Sequence, residues 1–517
     1  MAHGSQSLVK YSSSRQELII KCLITNTIKK IILFPNRIFR DNLKNRFLFA
    51  FFLRLAGQFV SLLMIILISR FLGPERFGKY NLLYGIAGIY AVLLTTGFNH
   101  ILIRELNRRS SERSVIVGAS LSLRLIIAWM GMIGTILTVQ LYPDLGPEIG
   151  WGVAIGVSLS LLGSFWQPSW RMSYEGILES DQAVHQSAAL NFIGKILFIL
   201  VVGCVFLWGG SLKEVVWGQA FAEILAIIIT VILLSQWGYN VLPALNRREI
   251  VHQIKESYPL ILVEIFSFLI IRFDLLIIGY FKGAIEAGYF SAATRLIDAF
   301  NLIPGVLLPS IIPYFVHKKS LNELDYHNGI KVLTRILTLI GITGALFSQS
   351  VAQVLISIIY GKDYLYSSVI FSILIWWVPL NFIIALWRIT MIVEGKQSFQ
   401  IAIIGLMGCL NAILNWWFVP IWGGWGASVA RVIGSVAILP LIIFISPTLT
   451  KIVVLIFKNS LPIILAAGIG GVLIHYLDSI SLRLGVALIS FFWCFRALGW
   501  RRIKDISESI KSFKLPK

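Results

Sequence analysis

Long apolar stretches recur along almost the whole chain, and this feature restricts the fold more than any other. Stretches of the length that a helix needs to cross a bilayer, about 20 residues, follow one another from residue 47 to residue 497. Only 14% of the 517 residues are charged, whereas soluble domains carry about 25%. The alternating polarity of outer-membrane strands does not occur. The sequence therefore predicts an all-α polytopic membrane protein.

The apolar stretches predict about 14 transmembrane helices, arranged as two sets of six and a terminal pair. The first set covers residues 47–72, 81–103, 115–141, 149–168, 189–208 and 215–237. The second set covers residues 259–281, 288–316, 331–359, 366–392, 399–419 and 424–446. The terminal pair covers residues 451–475 and 479–499. The predicted domains are a basic N-terminal segment 1–46, six-helix bundles 47–240 and 259–446, the extra pair 451–499 and a basic tail 500–517.

The basic residues predict the orientation of these helices. If the N-terminus is cytoplasmic, the predicted inner loops carry 14 Lys and Arg residues and the outer loops carry 7. This bias, together with an even number of spans, places both termini in the cytoplasm. The same distribution accounts for the formal net charge of +20. Since the basic residues are divided among short loops and form no patch with aromatic residues, no nucleic-acid partner is predicted.

Neither metal, cofactor nor catalytic chemistry is indicated by the sequence. The four cysteines, Cys22, Cys204, Cys409 and Cys494, contain no CxxC pair, and the seven histidines are scattered. Zinc sites, redox motifs and disulfide frameworks are therefore unsupported. The loops between the predicted spans are too short to hold a catalytic domain, which argues against a glycosyltransferase, polymerase or ligase. We expect no catalytic residues and no enzymatic activity.

An internal repeat relates the two halves. Residues 54–80 align without gaps on residues 264–290, so that Gly73 coincides with Gly283 and Gly78 with Gly288. Glycine at such positions permits a tight, closely packed corner between consecutive helices.

Two further matches support the repeat. Glu175-Gly176 recurs as Glu394-Gly395, and Gly209-Gly210 recurs as Gly423-Gly424. Equal topology in the two halves predicts a parallel repeat about an axis along the membrane normal, which is typical of transporters that rock one bundle against the other.

Three segments give the chain a family resemblance. They are FLGPERFGKYNLL, YEGILESDQAV and MIVEGKQSFQIAIIGLMGCLNAILNWWFVPIWGGWGASVARVIGS. Over residues 47–446 the chain resembles Wzx-type polysaccharide flippases, of the superfamily that includes MATE drug exporters and MurJ lipid flippases. The resemblance implies alternating access and translocation of an undecaprenyl-diphosphate-linked oligosaccharide across the bacterial inner membrane. It further implies a role in O-antigen or lipopolysaccharide biosynthesis, contact with membrane lipids, and polysaccharide polymerase or ligase partners.

Charged residues inside the predicted spans are the candidate site, because a charge at mid-bilayer costs several kcal/mol unless it faces water or a partner. Cations outnumber acids there, and guanidinium groups suit a diphosphate because they bind its oxygens bidentately. The predicted diphosphate-binding residues are Arg54, Arg124, Lys195, Arg272, Arg295 and Arg431. Two further arginines near span ends, Arg335 and Arg388, are expected to reach the lipid headgroups instead.

The acids of the spans leave two interpretations open. Glu264, Asp274 and Glu223 are candidates for coupling to a proton or sodium gradient, because a carboxyl group in a low-dielectric environment binds protons more readily. Structural pairing with a neighbouring arginine is the alternative. Arg295 and Asp298, spaced i,i+3, are likewise able to form a simple salt bridge. A cation-coupled exporter of small molecules remains the alternative function, although such a cavity is expected to be rich in acids.

Overall fold

Within the part of the chain that the structure describes, every regular element is a helix. The computed structural model describes residues 43–445, except 93–95, 147–149, 151–169, 240–241 and 322, and a few positions between 482 and 489. The predicted spans 149–168, 451–475 and 479–499 lie almost entirely outside these residues, as do most of segment 1–46 and all of tail 500–517. The prediction of an all-α protein is confirmed.

Thirteen helices cover the described residues. The first half contains α1 (Leu43–Ala91), α2 (Thr96–Arg108), α3 (Arg113–Val139), α4 (Trp170–Ser180), α5 (Val184–Leu207) and α6 (Leu212–Gln236). The second half contains α7 (Arg247–Ile271), α8 (Phe273–Leu321), α9 (Glu323–Ser350), α10 (Ala352–Ile359), α11 (Tyr366–Leu374), α12 (Trp377–Glu394) and α13 (Gln397–Ile445).

Seven helical segments of the described chain are long and apolar enough to cross a membrane. Two of them, Leu48–Tyr90 and Phe399–Pro440, run for 43 and 42 residues, about twice the length that a bilayer requires. Each contains a glycine with a non-helical backbone, Gly73 and Gly423 respectively. The chain is thus a multi-pass membrane protein, while the number of 14 spans stays a prediction.

The glycines that the repeat aligns have the same backbone conformation. Gly73 has φ 72° and ψ 172°, and Gly283, which lies 210 residues later, has φ 81° and ψ −175°. The second pair agrees as well, because Gly209 and Gly423 have φ values of 69° and 59°. Positive φ is open to glycine and strained for nearly all other residues. The backbone at these breaks therefore requires glycine in both copies of the repeat.

Gly176 and Gly395, which the repeat also matches, do not occupy equivalent positions in the structure. Gly395 ends α12 with φ 74°, whereas Gly176 lies inside α4, which continues to Ser180. A Cβ added at Gly176 would lie 2.5 Å from Oδ1 of Asn99. Position 176 therefore requires glycine because a larger residue would collide with α2. Position 395 requires glycine because its backbone is left-handed.

The backbones of the two halves are in direct contact just beyond Gly73 and Gly283. A Cβ built on Gly78 would overlap the carbonyl oxygen of Ala284, and one built on Gly288 would overlap that of Pro74. Ala284 follows Pro74, and Gly288 follows Gly78, by the same 210 residues. The contact is therefore pseudo-symmetric, as an isologous interface is. We refer to Pro74, Gly78, Ala284 and Gly288 as the glycine corner.

Further bonds join the halves near the glycine corner. The hydroxyl of Tyr364 donates to the carbonyl oxygen of Ser69 at 2.7 Å, and Nε of Arg70 donates to that of Ile359 at 2.7 Å. Arg70 also donates to the carbonyl oxygen of Ile358. This end of the interface is closed by backbone packing and hydrogen bonds together.

At its N-terminal end, α7 is bound to the first half by ion pairs. Arg109 donates to both carboxylate oxygens of Glu249 at 2.9 Å, and Arg104 donates to Glu256 at 2.7 Å. Burial opposes ionisation of Glu105, but hydrogen bonds from Arg104 and Arg109 outweigh it and lower the pKa of this carboxyl. Residues 247–256 are consequently held as part of the first half, although they belong to the first helix of the second.

Replacement of Gly78 by alanine should destabilise the protein. The added methyl group must displace the backbone at Ala284, and overpacking of this kind costs about 1–3 kcal/mol. Gly203 of α5 is the matched control, because a Cβ there meets nothing within 4 Å and alanine favours the helix by about 1 kcal/mol. Gly78→Ala should lower the apparent melting temperature of the purified protein, and Gly203→Ala should not. Equal melting temperatures of Gly78→Ala and Gly203→Ala would show that the two helices at the glycine corner can move apart without loss of stability.

Candidate functional site

The predicted span 259–281 is divided in the structure at Arg272. Helix α7 ends at Ile271, Arg272 has φ −124° and ψ −20°, and α8 begins at Phe273. The interruption frees the last carbonyl groups of α7, and such groups need partners in a membrane. It also brings two charged residues of the sequence prediction, Arg272 and Asp274, to a helix end instead of a continuous helix.

Side chains of α13 supply the partners at this break. Nδ2 of Asn411 donates to the carbonyl oxygen of Leu269 at 3.1 Å, and Arg431 donates to that of Ile271 at 2.9 Å. The same Arg431 nitrogen pairs with the carboxylate of Asp274. The side chains of Arg431 and Asp274 are 3% and 0% exposed. The Arg431–Asp274 ion pair is therefore buried, and it links α13 to the start of α8 beside the break.

Arg431 is also surrounded by aromatic rings. Its guanidinium carbon lies 5.7 Å from the ring centre of Phe290 and 5.2 Å from that of Trp377. Both distances are within the range of a cation–π interaction. Arg431, a predicted diphosphate-binding residue, thus contacts a carbonyl group, a carboxylate and two aromatic rings of the protein interior.

Two other predicted residues, Arg272 and Arg295, converge on one carboxylate. A guanidinium nitrogen of Arg295 lies 3.5 Å from Oδ2 of Asp298, and one of Arg272 lies 3.8 Å from the same oxygen. A second nitrogen of Arg295 donates to Oδ1 of Asn81 at 3.0 Å. We call Asn81, Arg272, Arg295 and Asp298 the Asp298 cluster. Because Asn81 belongs to α1 and the other three residues follow α7, the cluster joins the two halves.

Polar aromatic residues line the buried side of the Asp298 cluster. Tyr80 and Tyr360 lie within electrostatic range of Arg295. The hydroxyl of Tyr80 donates to Oε1 of Gln219 in α6 at 2.9 Å. The side chain of Arg295 is only 8% exposed, whereas those of Arg272 and Asp298 are 30% and 38% exposed. Arg272 and Asp298 therefore form the accessible side of the cluster, and Arg295 forms its buried side.

The three predicted cations of the first half have neighbours within that half. Arg54 pairs with Glu179 at 2.9 Å, and its side chain is 54% exposed. Nζ of Lys195 faces Gly57 of α1, where a Cβ would lie 3.3 Å from it. Arg124 is buried and lies within electrostatic range of Glu175.

The acids proposed for ion coupling each have a different neighbour. Glu264 of α7 is half-buried and within electrostatic range of Arg388 of α12. Glu223 of α6 is buried near Tyr84, and Asp274 pairs with Arg431. Among the described residues, no group of three or more His, Cys, Asp or Glu side chains is arranged to hold a metal.

Asn81 belongs to the Asp298 cluster, although the sequence analysis does not select it. It is the polar residue of an otherwise apolar and aromatic stretch, three positions after Gly78. An amide in such a stretch is a signal of its own, since a polar group in a span requires a partner. The sequence predicts Asp298 only as a salt-bridge partner of Arg295, because its contact with Arg272 depends on the break at the end of α7.

A family model and several solved structures resemble this chain. The model of a family described as polysaccharide biosynthesis protein matches residues 43–319. The lipid II flippase MurJ, in an inward closed conformation, superposes with a TM-score of 0.67 at 14% identity, covering 89% of this chain and 99% of that one. Among curated protein sequences, none matches the chain significantly.

Other solved transporters share the fold. An inward-facing multidrug resistance MATE transporter of the MOP superfamily gives a TM-score of 0.58 at 15% identity, with 77% and 95% of the two chains covered. A MOP superfamily transporter from Pyrococcus furiosus, described as having a binding pocket of reverse polarity, gives 0.53 at 15% identity, with 79% and 94% covered. The chain therefore has the fold of MurJ and MATE transporters, and the solved structures that share this fold are described as a flippase and transporters.

Separation of the Arg431–Asp274 pair should destabilise the protein strongly. Removing one partner leaves a buried charge, which costs about 3–5 kcal/mol. Arg431→Ala and Asp274→Ala should each lower the apparent melting temperature, and the double variant should lower it by less than the two effects combined. The exposed Arg54–Glu179 pair is the control cycle, with an expected coupling of about 1 kcal/mol or less. Strictly additive effects at Arg431 and Asp274 would refute the structural pairing.

Proposed function

The chain belongs to the polysaccharide biosynthesis protein family, and on this premise we propose that it flips an undecaprenyl-diphosphate-linked oligosaccharide across the bacterial inner membrane. The translocated unit would serve the synthesis of a surface polysaccharide such as O-antigen. Family membership and the fold support a flippase or exporter. The choice of a diphosphate-linked lipid as substrate rests on the chemistry of the Asp298 cluster.

The observation that carries this proposal is the convergence of Arg272 and Arg295 on one oxygen of Asp298. Two guanidinium groups that share an oxyanion form a receptor for phosphate, because each presents a planar set of N–H donors and keeps its charge. Partial exposure of Arg272 and Asp298 gives an anionic headgroup access to the cluster. A diphosphate, with several acceptor oxygens and at least two charges, matches this receptor better than a neutral or cationic solute does.

The position of the cluster between the halves supports a mechanism of alternating access. We propose that residues 47–240 and 259–446 are two bundles that rock about the Asp298 cluster. With the N-terminus in the cytoplasm, the glycine corner lies at the outer face, so the described conformation is closed to the outside. An occupant bound at Arg295 would also influence Asn81 of the first bundle, since the two side chains are hydrogen-bonded.

The remaining predicted cations take different parts in this proposal. Arg54, Arg124 and Lys195 of the first bundle guide the anionic headgroup towards the Asp298 cluster through their charge, since like-signed charges along a cleft concentrate a ligand of opposite sign. Arg431 acts on the site indirectly, because its pairing with Asp274 fixes the break that positions Arg272.

A gradient-coupled exporter of small molecules is the second candidate function. The buried carboxyl group of Glu223 favours it, because buried acids bind protons or cations during coupling. The Pyrococcus furiosus transporter, described as having a pocket of reverse polarity, supports the view that pocket charge varies within this fold. The excess of cations near the Asp298 cluster favours the flippase.

Removal of either arginine of the cluster should block flipping. In a bacterium whose surface polysaccharide depends on this protein, Arg272→Ala and Arg295→Ala should cause lipid-linked oligosaccharide to accumulate on the cytoplasmic leaflet, with flux reduced about tenfold or more. Loss of one charge-assisted contact of about 1.5–3 kcal/mol produces a change of this size. Arg113→Ala is the matched control, because Arg113 forms an ion pair with Asp181 outside the predicted spans.

Protein abundance must be measured alongside, so that lost flipping is separated from lost protein. Full polysaccharide production by both cluster variants at normal abundance would remove the diphosphate assignment. Resistance to cationic dyes on overexpression, dependent on Glu223 and independent of the two arginines, would establish the exporter instead.

A further inference from the structure

Asp298 occupies the place between the two arginines where an anionic ligand would bind. We propose that it is a displaceable counter-ion, which fills the anion site until phosphate groups of the substrate replace it. The proposal rests on the flippase function proposed above, because that function supplies the competing anion. In this role Asp298 sets the affinity of the site for its substrate.

The contacts of Asp298 are long for ion pairs. Charge-assisted N–H···O bonds measure about 2.7–2.9 Å, but Asp298 lies 3.5 Å from Arg295 and 3.8 Å from Arg272. Asp181 provides a comparison within the same chain, since its two oxygens accept from Arg113 at 2.7 and 2.6 Å. Asp298 is thus placed to neutralise both arginines without being bound tightly by either.

Burial differs across the Asp298 cluster in a way that suits exchange of anions. Arg295 is 8% exposed and is fixed from behind by its hydrogen bond to Asn81 at 3.0 Å. The side chains of Asp298 and Arg272 are 38% and 30% exposed. A ligand can therefore approach the carboxylate from its exposed side, next to Arg272, while Arg295 stays in place. Asp298 is the member of the cluster that is free to move aside.

The charge balance explains why such a counter-ion is useful. Two guanidinium groups that face one site repel each other when it is empty, and a carboxylate between them offsets this repulsion. A diphosphate carries more charge and more acceptor oxygens than one carboxylate, so it displaces Asp298 from the arginines. When the substrate leaves, the carboxylate returns and opposes rebinding. A flippase needs this moderation, because a site that binds its substrate too tightly releases it slowly.

The test is a binding measurement on the purified full-length protein. Inorganic pyrophosphate and farnesyl diphosphate are titrated against wild-type protein, Asp298→Asn and the control Asp181→Asn. Asparagine keeps the shape of the side chain and removes its charge. Asp298→Asn should bind both probes about tenfold more tightly than wild type, which corresponds to roughly 1.4 kcal/mol. Asp181→Asn should bind them as wild type does.

Flux through the protein provides the second readout. Asp298→Asn should support less surface polysaccharide than wild type at equal abundance, because tighter binding delays release, and Asp298→Glu should restore most of the flux. A purely structural Asp298 would instead produce a variant with weaker binding and a lower melting temperature. Unchanged or weaker pyrophosphate binding by Asp298→Asn would overturn the counter-ion proposal.

Two arginine variants separate this failure from failure of the proposed function. If wild type binds pyrophosphate, Arg272→Ala and Arg295→Ala do not, and Asp298→Asn resembles wild type, the diphosphate site stands and the counter-ion proposal falls. If neither probe binds to wild-type protein or to Asp298→Asn, both proposals fall. Tighter binding by Asp298→Asn that depends on both arginines supports both.

Discussion

A hydrocarbon environment offers no water to an interrupted helix, so each break in a membrane helix must bring partners for the backbone groups that it frees. At the end of α7, Asn411 and Arg431 donate to the carbonyl groups. At Gly423, which lies between the predicted spans 399–419 and 424–446, the carboxylate of Glu286 accepts a hydrogen bond from the N–H of Gly424 at 2.9 Å. In both places a polar side chain from a different helix meets the break. These contacts account for the positions of Arg431 and Glu286.

The close approach of α1 and α8, which glycine permits, brings together the residues of the candidate anion site. Gly78 and Gly288 lack the Cβ that would hold these helices apart. Asn81 lies less than one turn beyond Gly78 on the same helix, so the approach of the two helices places its amide within 3.0 Å of Arg295. The halves are consequently in contact through the same residues that surround the candidate anion site, and separation of the halves at this point must alter the site.

Exposure divides the membrane charges into two kinds. The Arg431–Asp274 pair is enclosed, and its cost of desolvation is offset by mutual attraction and a backbone hydrogen bond. Asp298 and Arg272 make longer contacts and keep a third of their side-chain surface accessible. Arginine–aspartate contacts within one chain thus differ in their surroundings, because only the second group keeps accessible surface.

The sequence determined the helical membrane class, the repeat at Gly73 and Gly283, and the family resemblance, because hydropathy and glycine conformation are local properties of the chain. It also indicated which cations belong to spans. Only the tertiary structure decided that Arg272 and Arg295 share Asp298 while Arg431 is enclosed with Asp274. The reason is physical: Arg431 binds the break after Ile271 from 160 residues away, and Asn81 binds Arg295 from 214 residues away. Arg272 and Asp298 are closer in sequence, but a non-helical backbone at Gly283 of α8 separates them, so no local pattern encodes these contacts.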